Sequence, residues 1–180
     1  MDVVRVSKRL SYVLRHRPDS VGLSLDDAGR VGVDDLLAAL VRSGMGLTRA
    51  ELEAVVTGND KQRFAFDETG TRIRASQGHS VPVALGYRPE LPPDVLFHGT
   101  VRQFLPAILA EGLLPGRRHA VHLSPDVATA RTVGGRRGEP VILRVDAGAM
   151  VADGNSFSRS ANGVWLTDAV PARYLQISGD

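Results

Sequence analysis

Residues 86–93 divide the chain into two parts, and this segment limits the folds that are open to it. Its sequence, Gly-Tyr-Arg-Pro-Glu-Leu-Pro-Pro, combines a glycine with three prolines. Proline-rich segments are extended and act as semi-rigid spacers. We therefore predict a first domain over residues 1–85, a linker over 86–93 and a second domain over 94–180. A chain of 180 residues is long enough for two small domains.

The composition excludes several kinds of chemistry and location. The chain contains no cysteine, which excludes disulfides, thiolate metal sites and cysteine nucleophiles. No stretch approaches the roughly 18 consecutive apolar residues of a membrane helix, and the N-terminus lacks the pattern of a signal peptide. We therefore expect a cytoplasmic protein without a membrane partner.

The charge of the chain does not by itself identify a partner. The net charge is only +2, and basic and acidic residues are balanced in both parts. Twenty of the 22 basic residues are arginines, whose guanidinium groups bind phosphate through paired hydrogen bonds. A GC-rich genome would produce the same bias. If nucleic acid is bound, local clusters of charge must bind it.

The first part has the pattern of a winged-helix domain. Apolar residues at helical spacing predict a first helix that ends before Pro18, and Thr48 with Glu51 forms a capping box for a third. Alternating residues predict a short hairpin at 23–33 and two further strands. The predicted helices cover residues 3–16, 36–42 and 48–58, and the later strands cover 61–67 and 71–75.

The second part is predicted to contain mostly strands with two helices. Ser124 is predicted to cap the second helix, with Pro125 in its first turn. The whole chain is therefore predicted to be α+β. The predicted strands cover residues 95–97, 119–123, 141–145, 164–166 and 174–177, and the helices cover 104–110 and 124–133.

Two histidine motifs follow or end strands in the second part. His98-Gly99-Thr100 contains a glycine that would allow close backbone approach to a ligand. His122-Leu123-Ser124 lies at a strand-to-helix junction, where a helix N-terminus attracts anions. Together they predict either a pyrophosphate site or two hydrogen-bonded core histidines. His119 and His122 would point to opposite faces of a strand, which argues against a metal site.

Two basic segments could bind an anion, and each also has a purely structural interpretation. Arg15 and His16 end the first helix, where cations also stabilise the helix dipole. Residues 134–138, Gly-Gly-Arg-Arg-Gly, form either an anion clamp or a flexible loop. Common nucleotide-binding motifs, the Walker pattern and strand–GxGxxG–helix, are missing from the sequence.

The order of these segments from Ser7 to Ile177 resembles the RNA 2′-phosphotransferase family of the KptA type. Each motif alone is weak, but their combination in this order is specific. The resemblance is carried by LSYVLRHRP (10–18), KQRF (61–64), IRASQGHS (73–80), LFHGT (96–100), VHLS (121–124), GEPVIL (138–143) and NGVWLT (162–167).

The resemblance implies a fold and a reaction. The fold would consist of an N-terminal winged-helix lobe that binds RNA and a C-terminal lobe similar to ADP-ribosyltransferases that binds NAD as co-substrate, without a metal. An internal RNA 2′-phosphate would attack C1″ of the nicotinamide ribose and release nicotinamide. The ribose O2″ would then attack the phosphorus, giving 2′-hydroxyl RNA and ADP-ribose 1″,2″-cyclic phosphate. Such a protein would act in tRNA processing, and we expect a monomer.

The resemblance also implies which residues act. The catalytic set falls on Arg15, His16, Arg63 and Arg136, with Arg137 as the alternative to Arg136, and it requires residues of both lobes. NAD would be bound by His98, Gly99, Thr100, His122 and Ser124, and RNA by Arg74, Gln77 and His79.

The residue types suit this reaction. A phosphate monoester carries a charge of about −1.5 to −2 and needs orientation rather than a base, which is consistent with the lack of a carboxylate in Gly163-Val164-Trp165. Two other functions are also compatible with the sequence. One is ADP-ribosylation of terminal phosphates of RNA or DNA, and the other is a non-catalytic module that binds nucleic acid or senses NAD.

Overall fold

The computed structural model describes residues 2–58 and 61–178, and the chain divides into two compact units. Unit 1 comprises Met1–Gly86 and unit 2 comprises Tyr87–Asp180. Both contain α-helices and small antiparallel sheets. No helix in the described part of the chain has the length and apolar character needed to cross a bilayer.

Unit 1 combines three helices with one antiparallel sheet. The sheet has the strand order β1-β3-β2, so that β3 lies in the centre. The core is formed by the apolar faces of the helices packed on this sheet. The elements are α1 (Val3–Arg15), β1 (Arg30–Gly32), α2 (Val33–Arg42), α3 (Arg49–Thr57), β2 (Phe64–Phe66) and β3 (Arg72–Ala75).

Local sequence explains where the helices of unit 1 begin and end. The side chain of Asp2 accepts a hydrogen bond from the backbone N–H of Arg5 and so caps α1. Leu10 and Leu14, one turn apart, are fully buried. The predicted capping box of α3 is confirmed, because Thr48 and Glu51 exchange hydrogen bonds and Gly58 follows the helix.

The hairpin predicted over residues 23–33 is wrong. The turn is present, since Asp26 accepts a hydrogen bond from the N–H of Arg30 at 2.7 Å and donates its own N–H to the Arg30 carbonyl. Residues 23–25, however, form no strand. Instead β1 pairs with β3, which sets Val31 opposite Ile73 and buries both. Burial against a distant strand therefore decides the pairing of β1.

Unit 2 contains two three-stranded antiparallel sheets, with strand orders β4-β6-β9 and β5-β8-β7. Its core includes Leu96, Leu143 and Met150. The elements are β4 (Val95–Val101), α4 (Leu105–Glu111), β5 (Val121–Leu123), α5 (Val127–Gly134), β6 (Pro140–Asp146), α6 (Ala147–Ala152), β7 (Ser158–Arg159), β8 (Trp165–Thr167) and β9 (Leu175–Ile177).

Two predictions about the helices of unit 2 are wrong. The structure adds a third helix, α6, which is capped by Asp146 and buries Ala147 and Met150. The predicted cap of α5 is also displaced. Ser124 exchanges backbone hydrogen bonds with Phe97, and Asp126 caps the helix instead by accepting a hydrogen bond from the N–H of Thr129 at 2.7 Å.

Helix α5 lies unusually close to strand β4. A methyl group on Gly99 would overlap the carbonyl oxygen of Ala130 and lie 2.8 Å from the backbone nitrogen of Gly134. A methyl group on Gly134 would in turn lie 3.0 Å from the carbonyl oxygen of Thr100. The two glycines therefore allow direct contact between the backbones of helix and strand.

Candidate functional site

In unit 1, the end of α1 and the segment before β2 bring three predicted catalytic residues into one region. Nη2 of Arg15 lies 3.5 Å from the carbonyl oxygen of Arg63, and both side chains are half-buried. His16 follows α1 directly and is exposed. This region therefore presents two guanidinium groups and an imidazole.

The segment after β3 orients these residues. The backbone N–H of Ser80 donates to the carbonyl of Arg15 at 2.9 Å, and Oγ of Ser80 lies 2.9 Å from Nδ1 of His16. Gly78 has a φ of +85° and lies beside the guanidinium of Arg15. The hydrogen bond to Ser80 restricts rotation of the His16 ring, which is how an imidazole is positioned for proton transfer.

Arg63 is held by the same segment through the backbone. The N–H of Ser76 donates to the carbonyl of Arg63 at 2.9 Å, and the Ser76 hydroxyl donates to the carbonyl of Gln62 at 2.7 Å. Gln62 has a φ of +39°, which L-residues rarely adopt. Backbone in such a conformation persists only where surrounding contacts fix it, and Ser76 supplies two of them.

The three residues predicted to contact RNA lie beside this region, but two of them also have structural partners. Nη1 of Arg74 donates to the carbonyl of Leu85 at 3.0 Å. His79 is only 2% exposed and packs beside Gly29. Gln77 is half-buried. Contact between these residues and RNA stays a prediction.

In unit 2, the two histidine motifs lie together. Nδ1 of His98 is 3.1 Å from the carbonyl oxygen of His122, and Nδ1 of His122 is 3.0 Å from the carbonyl oxygen of Ala120. The bridge between Phe97 and Ser124 joins the same two segments. Both histidines are thus oriented by backbone carbonyls, an arrangement that fits a ligand site as well as a structural role.

Thr100 and Gly99 are less open than the sequence motif indicated. Thr100 is buried, and the side of Gly99 that lacks a side chain is occupied by α5. The close packing of α5 is therefore sufficient to explain why residue 99 is a glycine, and no ligand contact is needed to explain it. Their predicted contact with NAD remains untested.

Three arginines of unit 2, Arg118, Arg136 and Arg137, lie close enough to interact electrostatically. The pKa of Arg118 is lowered by partial burial, then by the positive charges of Arg137 and Arg136. Arg137 also lies 5.9 Å from the centre of the Phe104 ring. Mutual repulsion among guanidinium groups is unfavourable unless an anion neutralises it. This cluster is therefore suited to a phosphate or pyrophosphate group.

Arg118 was not singled out by sequence reasoning. It lies four residues before His122 in a segment with two adjacent arginines, Arg117 and Arg118. Two adjacent arginines so close to the His122 motif are a sequence signal that could have indicated an anion site here. Only the fold, however, shows that Arg118 interacts with Arg136 and Arg137.

The expected attraction of an anion by the N-terminus of α5 is not supported. The Asp126 carboxylate already occupies that end of the helix, and the hydrogen bond from the Thr129 N–H lowers its pKa. A second anion there would be repelled by this carboxylate. The arginine cluster is the better place for an anion in unit 2.

In the described part of the chain, no group of three or more acidic and histidine side chains is arranged to bind a metal.

Comparison with known proteins identifies the family. The model of the RNA 2′-phosphotransferase, Tpt1/KptA family matches residues 1–169. The chain belongs to this family. A probable RNA 2′-phosphotransferase of Agrobacterium fabrum is 59% identical over 174 residues, covering 97% of this chain and 94% of the relative.

Other relatives of the same name agree over nearly the whole length. A probable RNA 2′-phosphotransferase of Streptomyces coelicolor is 57% identical over 173 residues, which cover 96% of this chain and 94% of the relative. One of Burkholderia lata is 53% identical over 176 residues, which cover 97% and 91%. The resemblance drawn from the motifs is thus confirmed. The residues predicted to act lie within the stretch that the RNA 2′-phosphotransferase model matches.

Burial, with a smaller contribution from nearby arginines, is expected to lower the pKa of His98 in this RNA 2′-phosphotransferase. Burial has the largest effect and lowers the pKa of His98 below the ordinary value of 6.5. The hydrogen bond to the His122 carbonyl opposes this decrease, and the charges of Arg118 and Arg137 each lower the pKa by a smaller amount. We expect NMR titration to place the His98 pKa below 6.5 and Arg137→Gln to raise it. Arg117→Gln is the control and should change it less. A His98 pKa above 6.5 would contradict this electrostatic picture.

The same shift makes the stability of unit 2 depend on pH. Because the pKa of His98 is lower in the folded than in the unfolded chain, the unfolded chain binds more protons below about pH 6.5. The contribution of His98 to the free energy of unfolding is therefore complete above this pH and is lost as the pH falls through the pKa of the folded state. His98→Gln should reduce this loss in denaturant titrations.

Proposed function

We propose that the chain is an NAD-dependent RNA 2′-phosphotransferase, which transfers an internal RNA 2′-phosphate to NAD. The products are 2′-hydroxyl RNA, nicotinamide and ADP-ribose 1″,2″-cyclic phosphate. The observation that supports this most is the family match over residues 1–169. Further support comes from Arg15, His16 and Arg63, which lie in one region and offer two guanidinium groups and an imidazole suited to bind a phosphate.

In this proposal, Arg15 and Arg63 orient the RNA 2′-phosphate. A monoester dianion is already nucleophilic, so that the protein has to hold it in line with the ribose carbon that it attacks. Half-buried guanidinium groups bind such an anion more tightly than fully exposed ones, because water screens them less. Arg136 is the third arginine of the set, and Arg137 is the alternative.

The residues of unit 2 fit NAD by the chemistry of their donors. NAD supplies an electrophilic carbon, C1″ of its nicotinamide ribose. The pyrophosphate group would be neutralised by the arginine cluster of Arg118, Arg136 and Arg137. His98, kept neutral by its low pKa, and His122 can offer hydrogen bonds to the ribose or phosphate oxygens, together with Ser124.

We extend the proposal to the two units and their substrate. Unit 1, with three helices followed by a hairpin of β2 and β3, would be a winged-helix lobe that binds RNA. Unit 2, with two small sheets and three helices, would be an ADP-ribosyltransferase-like lobe that binds NAD. Arg74, Gln77 and His79 would support or contact the RNA, as in the processing of tRNA that carries a 2′-phosphate.

Incubation of the purified protein with NAD and an RNA bearing one internal 2′-phosphate tests the proposal. We expect loss of the 2′-phosphate and release of nicotinamide and ADP-ribose 1″,2″-cyclic phosphate in equal amounts, measured by mass spectrometry and chromatography. A stable ADP-ribosyl group on a terminal phosphate would instead indicate the transferase activity. Thermal stabilisation by NAD without any turnover would indicate a sensing or binding module.

Replacement of Arg15 tests the catalytic cluster. We expect Arg15→Ala to lower kcat/KM by about 10²- to 10³-fold, the effect typical for loss of a group that stabilises charge in the transition state. Arg17→Ala is a matched control two residues away. The Arg17 guanidinium is exposed and pairs with Asp19 at 3.0 Å, an interaction that contributes little to stability. Equal losses in both variants would exclude the proposed role of Arg15.

A further inference from the structure

A groove in unit 1 runs along the exposed side of α1 and has a volume of about 470 Å³. We call it the α1 groove. The residues of α1 that line it are adjacent pairs that recur every four positions, 3/4, 7/8 and 11/12, and therefore share one face of the helix. Its polar and aromatic lining includes Lys8, Ser11, Tyr12, His16, Lys61 and Arg63.

The described lining of the α1 groove carries basic side chains. Lys8, Lys61 and Arg63 line it, and none of its described lining residues is acidic. Lys8 and Lys61 are exposed, and they are the only two lysines in the 180-residue sequence. Arginines occur throughout both units, whereas both lysines occur here. A groove with this charge attracts a polyanion.

The groove also carries an exposed aromatic ring. Tyr12 is 41% exposed, and Cζ of Arg9 lies 5.7 Å from the centre of its ring. Val4, one turn before Lys8, is 63% exposed. Proteins that bind single-stranded RNA combine cations along the backbone with aromatic and guanidinium surfaces on which bases stack. The combination favours a nucleic-acid strand over a simple polyanion.

The length of the groove suits several nucleotides. Val4 in α1 and His16 directly after the helix are 12 residues apart, which corresponds to about 18 Å at the rise of an α-helix. A stacked strand advances about 3.4 Å per nucleotide. One end of the groove is formed by His16 and Arg63, the residues that the proposed function places at the 2′-phosphate.

We propose that the α1 groove binds single-stranded RNA beside the nucleotide that carries the 2′-phosphate. Lys8 and Lys61 contact backbone phosphates, and Tyr12 stacks against a base. The position of the 2′-phosphate rests on the proposed function. Binding of the strand can nevertheless be measured without any reaction, which separates the two proposals.

The charge contribution is tested with a fluorescent single-stranded RNA of 12 nucleotides that lacks a 2′-phosphate. Each contact between a cation and a phosphate of a single strand contributes about 0.7 to the slope of log affinity against log salt. The double variant Lys8→Gln/Lys61→Gln should therefore reduce this slope by about 1.4 and the affinity at 0.1 M salt by about 25-fold. Arg42→Gln, an exposed cation in the last turn of α2 and outside the groove lining, is the control.

The aromatic contribution is tested with two substitutions at one position. Tyr12→Leu should weaken binding of the same RNA about tenfold, whereas Tyr12→Phe should retain most of the affinity because it keeps the ring. Thermal unfolding of each variant shows whether it is folded. Equal weakening by both substitutions would assign the effect to the hydroxyl group and overturn the stacking role.

The outcomes distinguish this inference from the proposed function. Wild-type affinity and an unchanged salt slope in the double lysine variant would overturn the inference even if the protein removes 2′-phosphates. A loss of binding free energy no more than twice that of Arg42→Gln would overturn it as well, because the double variant removes two charges and the control one, and the effect would then reflect net charge. Lysine-dependent RNA binding without turnover would support the groove and contradict the proposed function.

Discussion

His16→Ala should cause an RNA–phospho–ADP-ribose species to accumulate. The second step of the proposed reaction expels the 2′-oxygen of the RNA, which is a poor leaving group unless it is protonated. A positioned imidazole acting as general acid typically contributes about 10² to 10⁴ in rate. Hydrogen bonding between Nδ1 of His16 and Ser80 Oγ holds the ring in place for this transfer. We expect nicotinamide release to decrease less than formation of the cyclic phosphate.

The experiment is a single-turnover reaction with RNA labelled at its 5′ end, in which both products are followed with time. His119→Ala is the control, because His119 is exposed and lies outside the proposed set. Ser80→Ala should produce a weaker form of the same accumulation, since it removes only the orienting hydrogen bond. If both steps slow equally in His16→Ala and no intermediate appears, His16 is not the acid of the second step.

Gly99→Ala should disrupt unit 2. The added methyl group would overlap the carbonyl oxygen of Ala130 and lie 2.7 Å from its carbonyl carbon, so that α5 and β4 must separate. Overpacking against rigid backbone costs about 3 kcal/mol or more. For a unit of this size, we expect a decrease in Tm of about 10–20 °C in calorimetry. Activity should fall with it, because Arg136 and Arg137 belong to the turn Gly135–Arg137 that directly follows α5.

Two glycines near the same contact provide graded controls. A methyl group on Gly135 would meet no atom within 4 Å, and the φ of this residue is −60°. Gly135→Ala should therefore leave Tm unchanged or raise it slightly. Gly134→Ala, with backbone atoms at 3.0–3.1 Å, should have an intermediate effect. A Tm for Gly99→Ala close to that of Gly135→Ala would contradict the close packing of helix and strand.

Local signals in the sequence predicted the helices of unit 1 better than its strand pairing. The capping box of Thr48 and Glu51 is encoded in four consecutive residues, and α3 begins where it predicts. The pairing of Val31 with Ile73 joins residues more than 40 positions apart, and no local pattern specifies it. The error at residues 23–25 therefore reflects tertiary burial that overrides a local alternation.

In the candidate site, too, local motifs predicted some features, whereas others depend on the fold. Motifs identified Arg15, His16 and Arg63, and the structure brings these residues into one region of unit 1. The cap of α5 was misassigned because Ser124 and Asp126 are both good capping residues and only the bridge from Phe97 to Ser124 decides between them. Arg118 was missed because its interaction with Arg136 and Arg137 depends on the fold rather than on spacing.

Because both lysines lie in one groove, a lysine-selective reagent can be used to probe this surface. Reagents that acylate amines react with lysine side chains and the α-amino group, and not with arginine. Every lysine side chain that such a reagent modifies in this protein, Lys8 or Lys61, lies in the α1 groove. Acylation measured by mass spectrometry therefore reports directly on how far this surface is covered, without any engineered tag or substitution.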